Sequence, residues 1–504
     1  MAANPLAHAL EDFATLKIIL YPIRRKIMKK LLSILLCVAM LMAVVGCKGN
    51  GKTSEDSSDG TGIVPSNGKT ISVAALDKGI GTDWLKDLGK RYRAKYGTTI
   101  SVKSSSTLNE SVTQQLTSGE KTSDIYFTFC APLEWVTWAS TGAIVSLNDV
   151  VPEEKFRTPI TYELGNYNNN KWYLPSFYAP TGIVYNVDYL NELGYNEFPT
   201  TFDELLTLCD RVRESNLTSL YTGQKVAPMV WAGNTGDMVY MFRSLWSQLD
   251  PEGYKAYWGQ TDANGATNEA NKALLVNEST ETVLARMIDL FKPTSGSNGT
   301  YSANSAYGST GFSNIEAQQS FLEGNALFTV SGAWFENEMK EEIQDYDETK
   351  FSFAAFPKID ETKAASAAIN LPGEHFFISA NGEHNDVEEA KNFLRYVLSE
   401  EGLAITHNAV GIPLCYQDDE SNLNLPDWGK AVTAVNDAAI GSVNGSGSKL
   451  YLSGVLTLNL NNYFPNMALA IVNNNADYTD PTSMLNALYQ YQIAAWDESV
   501  GKVQ

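Results

Sequence analysis

The chain has 504 residues, too many for one ordinary core, so two lobes are the default expectation. Its 44% hydrophobic and 19% charged residues are those of a folded soluble protein. A formal charge of −21 excludes nucleic acid, whose phosphates call for clustered Lys and Arg, and disfavours anionic lipid headgroups.

Met28-Lys29-Lys30 opens a basic run, and Leu31 to Val45 is an apolar stretch that ends at Gly46-Cys47. At about fifteen residues it falls short of the roughly 20 needed for a spanning helix, and it reads as a secretory signal peptide over residues 28–46. Residues 1–27 precede this better start and read as an upstream artefact. From 47 to 69 the chain is rich in Gly, Ser, Asp and Thr with almost nothing to bury, which predicts a flexible tether. Gly46, Gly51, Lys52 and Thr53 match P-loop spacing. No buried strand precedes the match and no helix follows it, so phosphate binding is rejected. Once the signal is removed, Cys47, Cys130, Cys209 and Cys415 remain at scattered spacing, which excludes a disulfide framework and a zinc or thioredoxin motif.

Ile71 to Leu76 reads as a buried strand, followed by the loop Asp77-Lys78-Gly79. Trp84, Leu85, Leu88 and Tyr92 then recur at helical spacing over 83–96. Strands at 99–102 and 123–129 alternate with helices at 108–116 and 133–141, the pattern of parallel βαβ units. Ligands of such sheets gather beyond the carboxyl ends of the strands, here at Asp77-Lys78 and Phe129-Cys130. The run from Lys171 to Asp188 carries Pro175 and Pro180. Two prolines keep it out of the middle of a sheet, so it reads as a crossing between lobes with Tyr173, Phe177, Tyr178 and Tyr185 at the seam.

Helices follow at 200–213, 237–249, 279–291 and 315–323, with strands at 226–231 and 326–330. Asp262, Asn264 and Gly265 fail calcium-loop spacing and read as polar loop. Phe351 to Pro357 reads as a second crossing, His375 to Ser379 as a strand, 387–398 as a helix, Asn408 to Pro413 as a third crossing, and 450–496 as mostly helical.

Four blocks in order, Ser123–Gly142, Tyr173–Asp188, Ala317–Trp334 and Ala390–Pro413, resemble the extracellular solute-binding proteins of carbohydrate ABC importers. Asp77-Lys78-Gly79 after the first strand is similar to the maltose-binding branch. Val44-Val45-Gly46-Cys47 resembles a bacterial lipobox, whose cysteine is lipidated and becomes the mature N-terminus. The long polar insert before Gly311, and Glu374-His375, depart from the family, so its sugar does not transfer. The resemblance implies a two-lobe α/β periplasmic-binding-protein-like fold with discontinuous lobes. They would be about 70–176 plus 358–411, and 177–357 plus 412–504. It also implies a monomer on the extracytoplasmic face, lipid-anchored through Cys47, that takes a carbohydrate and delivers it to permease subunits. No cofactor, metal or catalytic residue is implied.

Sugars present C–H faces and hydroxyl edges, so their sites pair aromatic platforms with fixed polar groups. Trp334 and Trp231 leave strands beside small residues, and Phe129, Tyr178 and Trp84 stand at loop mouths. All five are candidate platforms, core packing being the alternative for each. Asp77, Lys78, Glu134, Asn234 and Glu374 are the polar candidates, and His375 reads as structural. Two other classes compete: a sensor-coupled binding protein, and a secreted glycoside hydrolase using two carboxylates. The chain carries no G-x-S-x-G or H-E-x-x-H motif, which favours a binding protein over an enzyme.

Overall fold

The computed structural model describes residues 63, 68–129, 134–235, 237–257, 275–296, 299–346, 349–364, 368–370, 373–438, 442–443 and 480–491. The readings made on the signal peptide, Cys47, most of the tether, Cys130, the calcium-like loop and most of 450–496 lie outside these residues.

In chain order, the first part contains β1 (Thr70–Leu76), α1 (Asp83–Tyr96), β2 (Thr99–Ser105), α2 (Leu108–Thr117), β3 (Ile125–Thr128), α3 (Glu134–Ser140) and β4 (Leu174–Pro175). The second contains β5 (Ala179–Asn186), α4 (Phe202–Glu214), β6 (Ala227–Val230), α5 (Met238–Leu249), α6 (Glu278–Phe291), α7 (Asn314–Leu322), β7 (Ala326–Gly332), α8 (Phe335–Glu338), α9 (Lys340–Ile343), β8 (Phe351–Ala354) and β9 (Ala368–Asn370). The chain then forms β10 (His375–Ile378), α10 (Val387–Val397), α11 (Glu400–Val410), α12 (Asp427–Ala438) and β11 (Ser442–Val443).

Two sheets result. The first runs β2-β1-β3-β10-β4. Its β1, β2 and β3 are parallel, as the βαβ alternation predicts, and β10 enters antiparallel between β3 and β4. The second runs β11-β9-β5-β7-β6, with β8 also on β5. The cores of the two sheets are not fully separate: Val184, Val230 and Phe353 of the second sheet belong to the same cluster as the first sheet's core. Trp84, Leu88, Tyr92, Phe127 and Phe376 pack in the first, and Leu205, Met229, Trp231, Phe242, Trp246 and Met287 in the second. Apolar residues on one face of each helix explain why these segments fold here: α1 buries Trp84, Leu85, Leu88 and Tyr92, the set its spacing predicts.

The crossings differ in part from expectation. Phe177 bridges to Leu414, the Tyr178 amide donates to Pro413 O at 2.7 Å, and the Cys415 amide to Ser176 O at 3.0 Å. The first and third crossing segments therefore run side by side, but the expectation that two prolines keep this run out of mid-sheet is corrected: it continues into β5, the central strand of the second sheet, where Pro180 pairs with Ile369. Phe351 to Pro357 is not a crossing at its start, because Phe351–Ala354 pairs antiparallel with β5. The chain is still in the second sheet at Asn370, which pairs with Ala179, so it leaves that sheet beyond the boundary expected at 358. Local pattern is the same for an apolar strand that adds to a sheet and one that leaves it, and only the distant partner decides.

Candidate functional site

The first sheet presents one edge where β1 and β3 end and β10 begins. Ala75 pairs with Phe127, and Phe127 with Phe376. That register brings the Asp77–Gly79 loop beside Glu374, and a Cβ built on Gly79 would lie 3.1 Å from Glu374 Oε1. The second sheet presents the matching edge where the parallel strands β6 and β7 end. There Trp334 follows β7, and Asp237 stands just before α5.

The indole of Trp334 folds back over the strand it leaves. A Cβ on Gly332 would lie 2.2 Å from the ring, so only glycine fits. The ring is half-buried and meets Tyr240 edge-on, with centroids 5.9 Å apart.

Glu338, at the end of α8, accepts from Gln318 Nε2 at 2.9 Å. Across the gap it faces the Gly79 backbone amide and the Lys78 ammonium. Burial raises its carboxyl, and Gln318, Gly79 and Lys78 pull the other way. Burial, and then the charge of Glu338, push Asp237 and Glu374 each up to about 7. The Tyr240 hydroxyl is likewise raised, by burial and then by Asp237. Three carboxylates from three elements thus gather with Lys78 and two aromatic rings. Beside them opens a space of about 660 Å³ between the 77–87 segment, the 337–342 segment and Ala409-Val410.

Of the sequence candidates, Asp77, Lys78, Glu374 and Trp334 come together here. Asp77 is exposed and accepts from Thr82 Oγ1 at 3.0 Å. Trp231 is corrected to a core residue. It is 2% exposed, donates to Ser305 Oγ at 2.8 Å and packs on Phe291 at 5.0 Å. Trp84 is corrected likewise: its ring, 4% exposed, sits among Phe127, Phe177 and Phe376, although its residue borders the cavity. Tyr178 is buried in the crossing, its hydroxyl pushed up to about 12 by burial, so its ring is not a loop-mouth platform.

Two candidates make their bonds outside this cluster. Glu134 accepts from Thr113 Oγ1 at 2.8 Å, tying α3 to α2. Asn234 is exposed and donates from Nδ2 to Gly311 O at 3.3 Å. Phe129 follows β3 at the site edge itself, next to Glu374 in the register that pairs Thr128 with His375, and is 38% exposed. His375 is structural, as its position suggests: it is fully buried against the Tyr173 ring, and burial lowers it to about 4. Sequence patterns do not single out Glu338, Asp237 or Tyr240, because acids and tyrosines on helices usually face solvent or core. The one available signal is Trp334-Phe-Glu-Asn-Glu338, a helix start that puts two acids directly after the aromatic strand exit.

His407 Nδ1 meets Asp418 Oδ2 at 2.6 Å, with Glu420 near enough for the three to offer ligands to a cation. Arg157 already pairs with both carboxylates, at 3.4 Å and 2.5 Å, so a guanidinium supplies the positive charge there.

No curated protein matches the chain. Solved structures do. A solute-binding protein, RafE, in complex with raffinose superposes with a TM-score of 0.57 at 16% identity, over 84% of this chain and 98% of its own. A chitin oligosaccharide binding protein gives 0.59 at 16%, over 85% and 99%. The GacH receptor of Streptomyces glaucescens, solved unliganded and with acarbose, gives 0.59 at 12%, over 86% and 98%. At such identities the likeness speaks for the two-lobe fold alone. The family model for bacterial extracellular solute-binding proteins matches residues 78–404, well over half of the sequence. The chain therefore belongs to the bacterial extracellular solute-binding protein family.

Proposed function

We propose that the protein captures a sugar or oligosaccharide between its two lobes and delivers it to the permease of an ABC importer. One observation carries the reading. The Asp77–Gly79 loop of one sheet and the Asn337–Glu338 segment of the other, just after Trp334, face each other across a space of about 660 Å³. A half-buried indole offers a stacking face, and Asp77, Glu374, Glu338 and Asp237 offer acceptors to hydroxyl donors. Raffinose, chitin oligosaccharide and acarbose, bound or named in the structural neighbours, support a carbohydrate as the ligand class. The lobes that go with this reading are about 70–176 with 373–411, and 177–370 with 412–504; the pairing of Asn370 with Ala179 supports moving the boundary from 358, while Tyr416 still bridges to Phe156. The ligand leaves chemically unchanged.

The same reading puts the protein on the extracytoplasmic face, held by lipid on Cys47 and a tether. Among the described residues no helix is long and apolar enough to cross a membrane. Cys47→Ala is expected to move the protein from the membrane fraction to the medium or periplasm, with loss of fatty-acid label. An unmodified Cys47 in the membrane-bound mature protein would contradict the anchor. For the ligand, a thermal-shift screen over mono- and oligosaccharides is the direct test, since binding to the folded state raises the midpoint by mass action.

A further inference from the structure

Three residues of the second lobe, all within Asn337–Lys340, reach the first lobe. Asn337 Nδ2 donates to Val410 O at 2.8 Å. That carbonyl belongs to the last residue of α11, and helix geometry leaves it without an intrahelical partner. Lys340 Nζ lies 3.2 Å from Asp83 Oδ2 at the first residue of α1, and it is the main cause holding Asp83 below the usual carboxylate range. Between them Glu338, braced by Gln318 on its own lobe, faces Gly79. The contacts fall on two separate elements and one loop of the first lobe, and all of them border the interlobe space. Parting the lobes breaks the Lys340 and Glu338 contacts, and it loads the Asn337 bond, which sits where α11 enters the third crossing.

We propose that Asn337–Lys340 is a closure strap, and that Asn337 and Lys340 are positioning residues that set how much of the ligand-free protein is closed. The proposal rests on the reading that the interlobe space is the ligand site. The Lys340–Asp83 pair is well exposed, 63% and 74%, so water and salt weaken it and Asn337 is the stronger point. The apparent dissociation constant of a site that works only when closed is the intrinsic one divided by the closed fraction. Loosening the strap therefore weakens every ligand by one common factor. A residue that touches ligand instead changes some ligands more than others.

The test is Asn337→Ala combined with Lys340→Ala, compared with the wild-type protein. Circular dichroism establishes that the variant is folded, which the exposure of Lys340 and the half-exposure of Asn337 favour. Small-angle scattering without ligand is expected to show a larger radius of gyration for the variant. Calorimetric titration with raffinose, chitotriose and maltotriose is expected to show about ten-fold weaker binding, by the same factor for each sugar that binds. The charge swap Asp83→Lys with Lys340→Asp should restore most of what Lys340→Asp alone loses. An unchanged radius of gyration in a folded variant overturns the strap, as does weakening confined to one sugar. If none of the sugars binds the wild-type protein, the carbohydrate reading has failed, and the scattering comparison still decides the strap.

Discussion

At the scale of single residues, two tryptophans with the same local sequence context have opposite fates. Trp334 and Trp231 both leave strands beside glycine, but one ring is half-buried at the interlobe edge and the other is sealed against Phe291 and Ser305. Truncating Trp231 to Ala leaves a core cavity and is expected to cost about 3–5 kcal/mol of stability in the ligand-free protein, read by denaturant unfolding. Truncating Trp334 should leave the apo melt near wild type and weaken saccharide binding by about 2 kcal/mol, roughly thirty-fold. A collapsed apo melt for Trp334→Ala would move that residue into the core as well.

Glu374 carries a pH signature. Its folded pKa, about 7, stands above the ordinary carboxylate value because burial, and then Glu338, disfavour the charge. Its contribution to stability is thus fully present below about pH 4 and lost as pH rises through about 7. Glu374→Gln is neutral throughout. The melting midpoint of the variant relative to wild type should rise between about pH 5 and pH 8, and a difference that stays flat would contradict the burial of this carboxyl.

At the scale of elements, most of the architecture is legible in the sequence. Helical spacing marks α1, and the Thr201-x-x-Glu204 box marks the start of α4, where the Thr201 hydroxyl accepts from the Glu204 amide at 3.3 Å and Glu204 returns the bond at 3.1 Å. Thr201→Ala is expected to cost about 1 kcal/mol, measured as a shift in the unfolding midpoint. Strand partners are less legible. Phe351–Ala354 and Ala368–Asn370 both carry patterns that suit a crossing or a sheet strand, and both join β5. What admits β8 there is Gly182, whose added Cβ would lie 2.3 Å from Ala354 O. Gly182→Val should force β8 away and destabilise by ~1–3 kcal/mol or more, seen as earlier exchange of the amides of 351–354.

At the scale of the molecule, what the sequence hides is what depends on two distant segments meeting. Asp77, Lys78, Trp334 and Glu374 are visible as strand-end residues. The partnership of Glu338 with Gly79, or of Asn337 with Val410, joins segments far apart in the chain and has no local signal. Under the proposed function this cleft binds a saccharide and returns it intact. Calorimetric titration with raffinose, chito- and malto-oligosaccharides, followed by chromatography of the recovered sugar, tests it most directly. One-to-one binding of at least one of these sugars is expected, with a dissociation constant near micromolar, about −8 kcal/mol, and unaltered sugar afterwards. Absence of binding across the series, or cleaved product in excess over protein, would contradict it.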